Sequence, residues 1–124
     1  MQKSNKPTEE DIIEFKKHTL LEIGKTYIVS GYRLWFSIKT RNILQIYAYP
    51  TREFREENLK LGLKTRTVHV EVYREALIKI GIFKAIENKW RKAVSSSPCR
   101  AVIYKLAKEL LLEATIQANK EYLR

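Results

Sequence analysis

Few side chains in this sequence could do chemistry, and the most suggestive lie in two short patterns. In Val68-His69-Val70-Glu71-Val72 apolar and polar residues alternate, so a strand would carry His69 and Glu71 on one face. An imidazole beside a carboxylate can hold a divalent cation. Tyr104 and Lys108 are four apart in a stretch of helical periodicity, which makes them neighbours one turn apart. With a cation held by such a pair, the tyrosine oxygen would be a candidate nucleophile.

A strand-borne metal-binding pair that serves a helix-borne tyrosine resembles the HUH-type replication initiators and relaxases. That resemblance implies a metal-dependent single-strand DNA nickase, with His69 and Glu71 as metal ligands and Tyr104 and Lys108 on the catalytic side. It rests on these four residues. Glu71 stands where that family has its second histidine, and spacing marks no third ligand.

Other catalytic patterns are absent from the sequence: no glycine-rich phosphate loop, no paired cysteine or histidine spacing and no glycine-flanked serine elbow. Cys99 follows Pro98 at a predicted helix start, and neither His18 nor His69 is tied to it by a usable spacing. It reads as a small buried residue. The leading expectation is therefore a non-catalytic protein that needs no metal or other cofactor.

The stronger signal is charge. Lys and Arg number 24 against 14 Asp and Glu, a formal net charge of +10, which creates a field attractive to phosphate polymers or to an acidic protein. The excess is sorted by position, for residues 23–52 contain no acidic residue and neither do residues 88–108. The first stretch mixes Lys25, Arg33, Lys39, Arg41 and Arg52 with Tyr27, Tyr32, Trp35, Phe36, Tyr47 and Tyr49. The second carries Lys89, Arg91, Lys92, Arg100, Lys105 and Lys108 around Ser95-Ser96-Ser97-Pro98, where a helix start would offer N–H donors to a phosphate.

If Leu34, Phe36 and Ile38 face a core, alternation sends Arg33, Trp35, Ser37 and Lys39 to the other side. In the opposite arrangement Trp35 packs under the last helix. An exposed ring among cations suits unpaired bases, which stack on the ring while the cation meets phosphate. The expected function is thus non-catalytic nucleic-acid binding, with RNA or single-stranded DNA favoured, through Arg33, Trp35, Lys39, Arg41, Lys89, Arg91, Lys92, Arg100 and Lys105. The alternative is a structural or regulatory subunit, of ribosome-associated, virion or inhibitor type, that meets an acidic protein.

These residues need elements to position them. Residues 1–7 read as a flexible arm and 8–124 as a single basic domain. Thr8 is a predicted N-cap for a helix over 9–23, with Ile12, Ile13, Phe15, Leu20 and Ile23 inward and Gly24 as its stop. Residues 26–49, rich in β-branched and aromatic side chains, predict two or three antiparallel strands with Gly31 as a bend and 39–42 as a hairpin connection. A short charged helix (52–61), a strand around Val68, Val70 and Val72, and helices to the end follow, interrupted at Gly81 and restarted at Ser97-Pro98. Together these predict an α+β fold in which a small antiparallel sheet of three to four strands packs against N-terminal and C-terminal helices. Burial of Ile103, Leu106 and Leu110 on that sheet would join the two basic stretches into one surface. No apolar run approaches a membrane span, and the single cysteine with no leader-like start at Met1-Gln2-Lys3-Ser4 predicts a reducing, cytoplasmic setting.

Overall fold

The computed structural model describes residues 6–122, so the arm expected over 1–7 falls mostly outside the described residues. The elements run α1 (Glu9–Thr19), β1 (Tyr27–Val29), β2 (Tyr32–Thr40), β3 (Ile43–Pro50), α2 (Arg52–Lys60), β4 (Val68–Tyr73), α3 (Arg74–Ser96) and α4 (Pro98–Tyr122). As the sequence predicts, the fold is α+β: one antiparallel sheet in the order β1-β2-β3-β4, with helices from both ends of the chain packed on it.

Two turns set the sheet's geometry. Ser30 and Gly31 join β1 to β2 with φ of 47° and 83°, the positive values that a two-residue hairpin requires. Gly31 is needed for space as well, because an added Cβ would stand 2.3 Å from the Phe54 ring. Phe54 of α2 thus seats directly on the turn and packs against Tyr32, with ring centroids 5.3 Å apart. At the other end, the β2–β3 register shifts between Ile38 and Thr40, so a bulge precedes the Arg41-Asn42 turn.

Period-two alternation then divides the side chains. Tyr32, Leu34 and Phe36 of β2, Leu44, Ile46 and Ala48 of β3, and Val68, Val70 and Val72 of β4 are buried on one face. That face is covered by α4 through Ala107, Leu110, Leu111 and Ala114, and by α3 through Leu77, Ile82 and Ile86. Gly81 interrupts α3 at φ 80° and ψ 165°, which redirects its second half along α4. No helix among the described residues is long and apolar enough to cross a membrane.

The first helix departs from its sequence reading. It ends at Thr19 instead of 23, with Leu20 in the left-handed region at φ 65°, and Ile12, Ile13 and Leu20 are exposed. Its inward row is Asp11, Phe15 and Thr19, spaced four apart. A carboxylate can be buried there because it is fully engaged. Asp11 accepts from the Thr8 backbone N–H at 2.9 Å, from Arg41 Nε at 3.2 Å and from Arg74 at 2.8 Å. The Thr8 N–H is the main influence holding the Asp11 carboxyl below its ordinary range. Burial opposes it, while the Thr8 hydroxyl and the two guanidiniums assist. Thr19 closes the helix by donating its hydroxyl to the Leu21 carbonyl at 2.9 Å.

Candidate nucleic-acid interface

With the helices on one face of the sheet, the other face carries a lattice of side chains whose rows follow from strand register. Arg33 stands opposite Tyr49, Trp35 opposite Tyr47, and Tyr47 opposite His69 on the far strand. Ser37, Gln45 and Glu71 form the next row. The rings in the second row are stacked: Trp35 and Tyr47 lie 5.2 Å apart at 14°, and Tyr47 and His69 lie 4.7 Å apart at 21°. Tyr49 joins them 5.0 Å from Trp35. These separations are those of favourable offset stacks, and Tyr49 is 42% exposed. The register is therefore the one that places Trp35 away from the last helix.

The row beside the rings is polar and internally connected. Ser37 donates to Gln45 at 3.3 Å, and Gln45 donates to Glu71 at 3.3 Å while standing 3.5 Å from His69 Nε2. Lys39 pairs with Glu71 at 3.0 Å. Hydrogen bonds from Lys39 and then Gln45 hold the Glu71 carboxyl below its ordinary range, and the same contact with Glu71 raises the Lys39 ammonium.

The cations singled out in the sequence meet different surroundings. Arg33 is exposed on the open face and has no hydrogen-bond or ion-pair partner among the described residues. Lys39 is on the same face but paired. Arg41 leans onto Asp11. Lys89 donates to the backbone carbonyl of Glu71 and lies between the rings of Tyr73 and Tyr104. Burial pushes its ammonium below the ordinary lysine value, with Glu71 opposing. Arg91 pairs with Glu87 at 3.1 Å, while Lys92, Arg100 and Lys105 are exposed on the helices. The two basic stretches therefore do not merge into one surface. The helices do pack on the sheet, as expected, but on the face opposite Arg33, Trp35 and Lys39, while Lys89 reaches the β4 strand at the Glu71 carbonyl.

The four residues of the nickase resemblance are likewise divided. His69 and Glu71 share the open face, with Nε2 and Oε1 3.9 Å apart. Tyr104 belongs to α4 and packs against the core beneath the opposite face, and Lys108 pairs with Glu87. Among the described residues no group of three or more His, Cys, Asp or Glu side chains could hold a metal ion. Cys99, read as a small buried residue, is exposed in the first turn of α4.

Tyr47, Tyr49, Gln45 and the imidazole of His69 as a stacking ring were not assigned to this face from the sequence. The alternation of Leu44, Ile46 and Ala48 with Gln45, Tyr47 and Tyr49 contains the signal, and it becomes readable once Trp35 is placed outward and β3 is paired with β2. No protein-family model, curated protein or solved structure matches this chain.

Proposed function

We propose that this protein binds single-stranded nucleic acid, RNA or DNA, without chemical change, on the uncovered face of its sheet. The observation that carries the reading is the row of stacked rings on the face that no helix covers, with Trp35 and Tyr47 half-buried and Tyr49 and His69 exposed, and beside it Arg33, which has no partner among the described residues. Aromatic side chains left uncovered on a sheet need a role, since contiguous apolar surface is normally buried in some partner. Bases supply flat faces for such rings, worth about 1–3 kcal/mol each and tolerant of sequence, while a guanidinium takes the phosphate. Ser37 and Gln45 add polar groups able to meet base edges. The net charge of +10 supports capture by long-range attraction.

The test is a titration of labelled oligo(U), oligo(dT) and duplex DNA at low and high salt, followed by fluorescence anisotropy. Both single strands should bind more tightly than the duplex, with log affinity falling linearly in log salt as counterions are released. Failure to bind either strand at low salt would pass the basic surface to an acidic protein partner instead.

A further inference from the structure

The stack of rings is open at its Trp35 end, and that end lies beside an open groove. Tyr47 and Tyr49 stand 5.2 and 5.0 Å from Trp35 but only 6.4 Å from each other. Were they on opposite faces of the indole, their separation would be roughly the sum of the two distances. Both therefore sit on its β3 side. On the β1 side the indole meets no ring among the described residues; it lines a groove of about 460 Å³ with Gly24, Thr26, Ile28 and Arg33.

Sequence explains why the space is open. Continuing the register one step beyond the Tyr27–Leu34 pair brings Thr26, a small residue, across from Trp35. Gly24, one alternation further along, has no side chain, and a Cβ added there would meet nothing within 4 Å. The aromatic row thus stops at Trp35 for want of a fourth strand residue large enough to cover it.

Resting on the single-strand reading, we propose that this groove seats one nucleotide, its base stacked on the free face of Trp35 and its phosphate on Arg33. The base would continue the existing stack as its next ring, with Ile28, 60% exposed, supplying an apolar flank. A flat π system that carries an anion is what a bare indole face and an unpartnered guanidinium jointly select.

The experiment uses a Trp90→Phe background, which leaves Trp35 as the single tryptophan of the two in the chain. Oligo(dT) binding is followed by indole emission and by anisotropy of a labelled strand. Thr26→Phe, which fills the groove with a ring, and Arg33→Ala, at an exposed site, are compared with the parent. Binding should quench Trp35, and each variant should lower affinity about 10-fold. Unchanged emission together with parental affinity in both variants would overturn the groove assignment while leaving single-strand binding intact. If the parent binds neither oligo(dT) nor oligo(U), the proposed function fails and this site fails with it.

Discussion

Arg33 and Arg91 come from the two stretches that contain no acidic residue, yet one has no partner among the described residues and the other is paired. Arg33 is on a strand, where side chains leave alternately to two faces and its neighbours on the open face are rings. Arg91 is on a helix, where the side chain four positions earlier is adjacent in space, and that residue is Glu87, just outside the acid-free stretch. Glu87 also receives Lys108 from α4, and these contacts, Lys108 first, hold its carboxyl below the ordinary range. A gap in acidic residues along the chain is therefore a gap in space only where the local geometry does not fold an acid back across it.

The contrast between the two sheet faces can be broken most sharply with adjacent residues of β2. Phe36→Ala, on the covered face, should lower stability by about 3–5 kcal/mol in urea unfolding, because it leaves a cavity in a closed core. Trp35→Ala should cost about 1–3 kcal/mol, from its ring contacts and the part of the indole that its neighbours shield, and should weaken single strands more than duplex. If Trp35→Ala unfolds the protein as Phe36→Ala does, the rings are structural and the two faces are equivalent.

The contrast between the two basic stretches is sharpened by salt. Arg33→Ala should reduce the slope of log affinity for a single strand against log salt by about 0.7, the loss of one phosphate contact. Joint replacement of Lys92, Arg100 and Lys105 by alanine should leave that slope nearly unchanged; an equal or larger drop would move the interface to the helices.

The smallest effect separates Arg41 from its neighbours in the first stretch. Arg41→Gln should leave oligonucleotide affinity at the parental value but alter acid stability. Asp11 has a folded-state pKa below its ordinary 3.8, so the stability it contributes is present above that value and is lost as pH falls toward the lower folded value. Removing Arg41 raises the folded pKa toward 3.8 and shrinks this contribution. Acid unfolding monitored by circular dichroism should then begin at slightly higher pH, whereas a lost affinity would return Arg41 to the interface.

Much of this architecture is legible in the residues themselves. Alternation in Val68-His69-Val70-Glu71-Val72 and in Leu34-Trp35-Phe36 marks the strands, and Gly31, Gly81 and Pro98 mark turns, breaks and starts where the structure has them. α1 departs from its apolar pattern because its buried row begins with a carboxylate. Only the Thr8 cap and two guanidiniums, one of them 63 residues away, make Asp11 an interior residue. The site was half legible for a similar reason. Alternation in β2 puts Trp35 and Arg33 on one face but leaves open which face the helices cover, and Tyr47 and His69 join them only through cross-strand pairing, a long-range relation that no single strand encodes. Lys89 and Arg41 look like free cations in sequence because their partners, a backbone carbonyl and a distant Asp11, leave no mark nearby.

The position of Lys89 also bears on how copies of the protein behave when crowded together. β4 is the last strand of the sheet, and such a strand offers unpaired carbonyls and amides as a template for a strand from another molecule. Lys89 occupies one of those carbonyls, that of Glu71, and places a positive charge at the edge. At the opposite end β1 spans three residues, too short to nucleate a long ladder. Copies crowded together would thus meet a charged edge on one side and a truncated one on the other, which disfavours edge-to-edge strand pairing.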